Sequence, residues 1–327
     1  MRYNAILAFA GAASAGTVLW DGRANQYADS SFLDSWSFSN QVGPYQWYIH
    51  GSGATKNYVN LGSSYKNTAD TGSNQGIRIT NDKTSIWNGQ SMQRTELIPQ
   101  TSAAINKGKV YYHFSIRGSS TDPTQEHQIA FFESHFTELK YGLISGASGT
   151  SDNRLQWYVG GQSKWATTLD SSTWHNVAYG IDFSANTVEF YHSTGSDALT
   201  LIAGPVSAST SSNGADWHLG VLRLTTQGVS ENWDFSGVYV ESGSLTTSII
   251  SPGGAAGSLS STTAAASTTP TTTKTKPTTS STTTSTTLVT TSSKPVTTSP
   301  TTTTRLTTTT TSSAAPNSSC KVVYVYV

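Results

Sequence analysis

Short runs of β-forming residues recur along residues 16–250 and limit this part of the chain to an all-β fold. The runs are rich in Val, Ile, Tyr, Phe, Trp and Thr, and clusters of Gly, Asn, Asp and Ser separate them. No segment shows a sustained 3.6-residue apolar period with helix caps, so we expect few and short helices. The predicted strands are residues 46–50, 76–80, 91–98, 109–117, 128–134, 138–144, 154–159, 174–182, 187–194, 217–225 and 233–241.

So many strands in one domain must close into a barrel or stack as two sheets. We predict a β-jelly-roll sandwich of two antiparallel sheets, concanavalin-like, with one sheet curved around a cleft. No internal repeat is visible, which disfavours a propeller or a β-helix. Two hairpins are predicted, with turns at 182–186 and at Gly160-Gly161. Residues 16–250 contain no cysteine, so the core must stabilise this domain without disulfides.

The first residues of the chain predict a secretory signal peptide over residues 1–15. Arg2 is basic, an apolar run follows at residues 5–13, and the segment ends in Ala-Ser-Ala, which matches a cleavage site of small residues. The apolar run is too short to span a membrane. We therefore expect a secreted, extracellular protein.

Composition changes abruptly at about residue 251. Residues 251–316 are dominated by Thr and Ser with scattered Pro, which predicts a disordered, O-glycosylated linker or, alternatively, an inert tail. Residues 317–327 are too short for a domain and contain the single Cys320, which cannot form the internal disulfides that a very small module needs. We expect this tail to be the remnant of a truncated binding module or an error of the gene model.

The distribution of charge excludes nucleic acid as a partner. The chain has 19 Lys+Arg and 19 Asp+Glu residues, and all five charged residues after residue 250 are basic, so residues 1–250 are net acidic. Phosphate binding requires a basic face instead. We expect a neutral polysaccharide as the partner, no membrane association, and a monomer.

The titratable residues that fall within the predicted strands are the candidates for catalysis. Residues two apart on a strand share a face, so Arg94 should lie beside Glu96, and Glu133 beside His135. Glycoside hydrolysis typically needs two carboxyl groups on either side of the scissile bond. The guanidinium favours the ionised form of Glu96, which suits a base or nucleophile, although a surface ion pair is the alternative. The second carboxyl group is Glu133 or Glu138.

Aromatic residues are numerous, with 9 Trp and 15 Tyr. The apolar face of a sugar ring stacks on aromatic rings while its hydroxyls meet polar groups. We predict substrate platforms at Trp47, Trp87, Tyr141, Trp157 and Trp165, although each of these side chains could instead belong to the core.

His218 is a further candidate, because it lies on a predicted strand beside Trp217, although a core histidine is the alternative. No His-x-x-x-His spacing or His/Asp cluster indicates a metal site, so we expect no metal and no cofactor. No Gly-x-Ser-x-Gly elbow between a strand and a helix indicates a serine hydrolase.

Three motifs resemble glycoside hydrolase family 131: QRTEL at 93–97, FFESHFTELKYG at 131–142 and DWHLGVLRL at 216–224. The resemblance covers residues 17–250. It implies a secreted fungal β-glucanase with a β-jelly-roll fold that acts on β-1,3-, β-1,6- and β-1,4-glucans. It also implies Glu96 and Glu138 as the catalytic pair, supported by an arginine and histidines; in this chain these are Arg94, His135 and His218, with Glu133 as the other candidate for the second carboxyl group.

Hydrolysis with inversion is the expected mechanism. Two other functions are compatible with the sequence. A polysaccharide lyase on a similar jelly roll would use Arg94 to neutralise a uronate carboxylate. A glucan lectin would bind the same sugars without cleaving them.

Overall fold

The structure, a computed structural model, describes residues 16–254, which form two antiparallel β-sheets. Three short 3₁₀ turns lie at Ser30–Ser35, Thr55–Asn57 and Ser63–Tyr65. The prediction of an all-β jelly-roll sandwich with few helices is confirmed. The strands are β1 (Thr17–Asp21), β2 (Tyr45–Ile49), β3 (Val59–Gly62), β4 (Gly76–Asn81), β5 (Gln93–Pro99), β6 (Lys109–Ser119), β7 (His127–Phe132), β8 (Thr137–Tyr141), β9 (Arg154–Val159), β10 (Gln162–Thr168), β11 (His175–Asp182), β12 (Thr187–Thr194), β13 (Thr200–Ser207), β14 (Trp217–Arg223) and β15 (Glu231–Ser242).

The first sheet has the strand order β13-β12-β11-β6-β15-β4-β3, with β1 also paired to β15, and the second has the order β10-β9-β8-β7-β14-β5-β2. Both predicted hairpins are present, since β11 pairs with β12 and β9 with β10. In the second sheet β14 lies between β5 and β7, so residues near 96, 131 and 218 become neighbours although they are far apart in sequence.

Aromatic side chains from both sheets meet in the core. Trp217 of the second sheet is fully buried, and its ring centroid lies 5.0 Å from Tyr112 and 6.2 Å from Phe114, both on β6 of the first sheet. Trp20 contacts the other side of this cluster, 6.0 Å from Trp217. Burial of such large rings is the main stabilising contribution in a domain without disulfides.

The face of the first sheet that points away from the core is also covered. Asp70 accepts hydrogen bonds from the backbone N–H and the hydroxyl of Ser251, at 2.9 and 2.8 Å. Thr246 donates to Glu241, which also contacts His113 at 2.9 Å. Ser251, the first residue of the predicted linker, is thus buried against the domain, whereas the predicted signal peptide, most of the linker and the C-terminal tail lie outside the described residues.

A buried ionic network joins the two sheets. Arg223 on β14 contacts Glu231 on β15 at 3.0 Å, and both side chains are fully buried. His127 on β7 contacts both carboxylate oxygens of Glu231 at 3.0 Å. Arg223 also donates to Gln93 on β5. These four side chains are named the inter-sheet network below.

The predicted strands do not include β1, β3 or β13, and of these β3 and β13 are the two end strands of the first sheet. β3 has only four residues, and β13 contains Gly204-Pro205 and is largely exposed. Edge strands tolerate Pro, polar residues and exposure, so they lack the apolar alternation that reveals central strands. Within residues 16–254, no helix has the length and apolar character needed to cross a membrane.

Candidate active site

The candidate site lies on the face of the second sheet that points away from the first sheet. Leu97, Leu139 and Trp217 belong to the core, so their strand neighbours Glu96, Glu138 and His218 point to the opposite face. We name this surface the carboxylate face. Its central side chains are Arg94 and Glu96 on β5, His218 on β14, Phe131 on β7, Glu133 and His135 in the turn after β7, and Glu138 on β8.

Arg94 and Glu96 form the side-by-side pair that the two-residue period predicts. The Arg94 Nε lies 2.8 Å from Glu96 Oε1, and Nη2 lies 2.6 Å from Oε2. Gly220 lies opposite Glu96 in the strand pairing, and a Cβ atom there would come within 2.2 Å of the Thr95 carbonyl oxygen and 2.6 Å of Glu96 Cα. The absence of a side chain at residue 220 therefore allows the backbones of β14 and β5 to approach closely beside Glu96.

Glu96 is fully buried and ionised. Burial by itself would raise the pKa of this carboxyl group, but the positive charges of Arg94 and His218, and the hydrogen bonds from them, lower the pKa to about 2. His218 Nδ1 lies 2.6 Å from Glu96 Oε2. Glu96 is thus a permanent negative charge beneath the surface of the face.

His218 connects Glu96 to a second carboxylate, that of Glu133. While Nδ1 faces Glu96, Nε2 lies 3.1 Å from Glu133 Oε2. Burial would lower the pKa of His218, but the two carboxylates outweigh burial and raise it, so both ring nitrogens donate hydrogen bonds. The hydrogen bond from His218 in turn lowers the pKa of Glu133. The Glu133 side chain is 34% exposed, so of these two glutamates it is the one that solvent reaches.

A second carboxylate–imidazole pair lies on the other side of Phe131. His135 Nδ1 is 3.1 Å from Glu138 Oε2, and Lys140 Nζ is 3.6 Å from Glu138 Oε1. Lys140 is closer to Glu126, at 2.6 Å. The Glu138 side chain is buried, at 2% exposed, whereas the His135 side chain is 41% exposed.

Phe131 separates the two pairs. Its ring stacks on His218 at a centroid distance of 4.6 Å and on His135 at 5.3 Å. Two residues with positive φ shape this region: Ala130, at 46°, interrupts the pairing of β7 with β14, and His135, at 52°, lies in the turn before β8. Such backbone is costly for residues other than glycine and clusters at functional sites.

The five predicted aromatic platforms divide into two groups. Trp47 on β2 and Trp87 before β5 are half-buried and lie at the β2 end of the carboxylate face. The prediction is wrong for Tyr141 and Trp157, which are 3% and 0% exposed and belong to the core. Trp165 is half-buried, but it lies opposite Trp157 in the strand pairing and packs against Phe190 of the other sheet at 4.9 Å, so it lies on the core side of the sheet and not on the carboxylate face.

Tyr158 on β9 is an aromatic residue that the sequence argument missed. It lies opposite Glu138 in the strand pairing, is half-buried, and packs against Lys140, whose Nζ is 5.2 Å from the ring centroid. Its alternation with the buried Trp157 was the signal that could have revealed it. Within the part of the chain that the structure describes, no group of three His, Cys, Asp or Glu side chains is arranged to hold a metal ion.

Comparison with known proteins identifies the family. Residues 18–246 match the family model described as the glycoside hydrolase 131 catalytic N-terminal domain. The crystal structure of a GH131 β-glucanase catalytic domain from Podospora anserina is similar, with 61% identity and a TM-score of 0.69, over 72% of this chain and 99% of that one. The catalytic domain of a family 131 protein from Coprinopsis cinerea has 48% identity and a TM-score of 0.68, over 73% of this chain and 100% of that one. No curated protein sequence that was compared matches. The chain therefore belongs to glycoside hydrolase family 131, and residues 18–246 form its catalytic domain.

Proposed function

We propose that this domain is a secreted, monomeric β-glucanase that hydrolyses β-1,3-, β-1,6- and β-1,4-glucosidic bonds of cell-wall glucans without a cofactor. The observation that carries the proposal is the presence of two carboxylate–imidazole pairs on one face, one on each side of Phe131. The Podospora protein, a β-glucanase by its description, supports the choice of substrate. Secretion rests on the signal peptide predicted for residues 1–15.

Glu138 is the proton donor in this proposal. Glu96 and Glu133 have lowered pKa values, so neither is suited to give up a proton. Glu138 is the remaining glutamate of the carboxylate face, and the side chain of its partner His135 is partly exposed, so a substrate can approach this pair. The proton of Glu138 passes to the glycosidic oxygen as the bond to the anomeric carbon breaks.

Glu133 is the base, and Glu96 positions it through His218. Glu96 has no exposed surface, and both of its oxygens accept hydrogen bonds from Arg94 or His218, so they are not available to a water molecule or a sugar in this arrangement. Glu133 reaches solvent, is ionised, and accepts a hydrogen bond from the imidazolium that Glu96 fixes. Glu133 takes the proton of the water molecule that attacks the anomeric carbon. This assignment departs from the expected Glu96–Glu138 pair and makes Glu96 a positioning residue.

Spacing favours inversion of the anomeric carbon. The Glu133 carboxylate contacts His218, whereas Glu138 contacts His135, and the Phe131 ring stacks on both histidines at centroid distances of 4.6 and 5.3 Å. The ring therefore holds the two carboxyl groups apart, which leaves room for a water molecule between them. Inverting enzymes place their carboxyl groups ~6.5–9.5 Å apart, whereas retaining enzymes need ~5–5.5 Å.

The test is the release of reducing ends from laminarin, mixed-linkage β-glucan and cello-oligosaccharides, with the anomer of the first product determined by NMR. We expect hydrolysis and an α-anomer from the β-linked substrate. A first product in the β-configuration would refute inversion. Absorbance from an unsaturated product would indicate a lyase, and binding without release of reducing ends would indicate a lectin; either result would overturn the proposed function.

The acidic limit of activity should depend on the hydrogen bond from His218 to Glu133. His218→Asn keeps a donor near the position of Nδ1, toward Glu96, but removes the donor toward Glu133. The pKa of Glu133 should then rise, because the interaction that lowers it is lost. Since a base must be ionised, we expect the acidic limb of the pH profile of kcat/KM to move to higher pH.

His218→Gln is the matched control for this shift, because its amide can still donate near the position of Nε2, toward Glu133. Its acidic limb should move less than that of His218→Asn. An acidic limb in His218→Asn that superimposes on the wild-type limb would show that Glu133 is not the base.

A further inference from the structure

Four aromatic side chains cluster at the β2 end of the carboxylate face. Trp36 lies 6.2 Å from Trp47 and 6.0 Å from Trp87, and Phe38 lies 5.2 Å from Trp47 and 6.0 Å from Trp87, measured between ring centroids. The three Trp side chains are half-buried, and Phe38 is 68% exposed. We name these four residues the aromatic platform.

The cluster has a defined structure. The indole N–H of Trp36 donates to the carbonyl of Gln46 at 2.9 Å. Phe38 lies in a tight turn that is closed by reciprocal backbone hydrogen bonds of 3.0 Å between Ser37 and Asn40. An aromatic ring placed at the tip of a closed turn remains exposed without collapsing onto the core, and exposed apolar patches of this kind mark ligand sites.

The aromatic platform is continuous with the reaction centre. Trp47 pairs with Ile98 on β5, two residues beyond Glu96 on the same strand, so both lie on the carboxylate face. The loop that contains Trp87 is attached to Arg94, because the Arg94 N–H donates to the Ser85 carbonyl at 2.7 Å. A ligand on the platform would therefore extend directly toward Glu96 and His218.

The chemistry of the platform fits an uncharged ligand. Its rings offer flat apolar surfaces, which stack on the apolar face of a pyranose ring. His50 borders it, 6.4 Å from Trp36 and 5.9 Å from Trp87, and burial lowers the pKa of this histidine, which favours its neutral form. A neutral glucan matches these surroundings better than a uronate polymer does.

We propose that the aromatic platform is a distal subsite that binds glucosyl units of a β-glucan chain beyond the scissile bond. The inference rests on the proposed function and adds that the rate of hydrolysis depends on the length of the glucan. The strand order places Trp47 on β2, the reaction centre on β5, β14, β7 and β8, and Tyr158 on β9. A bound glucan would thus cross five strand intervals of ~4.8 Å each, a length of about 24 Å. Short oligosaccharides bound at the reaction centre would not reach the platform.

The test compares kcat/KM for laminarihexaose with kcat/KM for laminaritriose in Phe38→Ala, Trp87→Ala and wild type. The ratio of kcat/KM for laminarihexaose to kcat/KM for laminaritriose should fall roughly three- to tenfold in Phe38→Ala and in Trp87→Ala, since one aromatic stacking contact is lost. Phe38→Tyr keeps the ring and should restore the ratio. Leu201→Ala, which removes an exposed apolar side chain from β13 of the other sheet, is the control and should keep the wild-type ratio.

Binding separates failure of this inference from failure of the proposed function. In affinity electrophoresis with soluble glucan, the migration of Phe38→Ala should be retarded less than that of wild type. The migration of Leu201→Ala should be retarded as much as that of wild type. Normal hydrolysis with unchanged ratios and unchanged retardation in Phe38→Ala and Trp87→Ala would overturn the subsite alone. Glucan binding that Phe38→Ala weakens, in a protein that releases no reducing ends, would support the subsite and overturn the β-glucanase activity. Because the Phe38 side chain is largely exposed, Phe38→Ala should fold, and its thermal unfolding checks this.

Discussion

Glu138→Gln should lower kcat/KM on laminarin by about 10³-fold, within the ~10²–10⁴-fold range that general acid catalysis contributes. The amide has the shape of the carboxyl group, so the substitution preserves packing in this buried position. It has no acidic proton to give to the glycosidic oxygen, and this is the loss that the assay measures. On a substrate whose leaving group needs no protonation, such as a dinitrophenyl β-glucan oligosaccharide, Glu138→Gln should lose much less activity.

The difference between the two substrates makes this expectation specific. A residue that only positions the substrate would affect both equally, so equal losses would remove Glu138 from the role of acid. Glu189→Gln provides the matched control, because Glu189 lies on β12 of the other sheet and forms a surface ion pair with Lys109. It should have wild-type activity. A Glu138→Gln enzyme within tenfold of wild type on laminarin would likewise exclude the assignment.

Strand periodicity was sufficient to predict one half of the carboxylate face. Arg94 and Glu96 are two residues apart on an unbroken strand, so their contact follows from the period of the strand alone. The same rule, applied more strictly, would have excluded Tyr141, because it lies three residues from Glu138 on β8 and must point to the opposite face. Trp157 and Tyr158 are distinguished by the same alternation.

The other half depends on features that have no simple sequence pattern. The positive φ of Ala130 interrupts the pairing of β7 with β14, and this irregularity sets which face Phe131 and Glu133 occupy. His218 reaches Glu96 only because β14 inserts between β5 and β7, a pairing of distant segments that local propensity does not encode. The sequence therefore identified the candidate residues of the site, whereas the proposal of different roles for Glu96 and Glu133 required the fold.

Arg223→Met should destabilise the domain by about 3–5 kcal/mol, because it leaves Glu231 as a buried charge without its guanidinium partner. Gln93 would also lose the donor to its carbonyl oxygen, and Gly228, which packs against the guanidinium, would border a gap. For a domain of this size, each kcal/mol corresponds to about 2–4 °C in Tm. Thermal unfolding should therefore show a decrease of about 6–20 °C, confirmed by urea unfolding at constant temperature.

Two further variants separate loss of the charge balance from loss of the side chain. Arg154→Met removes an exposed arginine that pairs with Asp152 at the surface, and it should change stability by less than about 1 kcal/mol. Adding Glu231→Gln to Arg223→Met should recover part of the lost stability, since the unpaired buried charge is then removed. Two results would contradict this expectation: a free energy of unfolding of Arg223→Met within 1 kcal/mol of wild type, or a double variant that is less stable than the single variant. Either result would show that charge pairing in the inter-sheet network does not stabilise the contact between the two sheets. The remaining explanation would be packing by the long arginine side chain between β14 and β15.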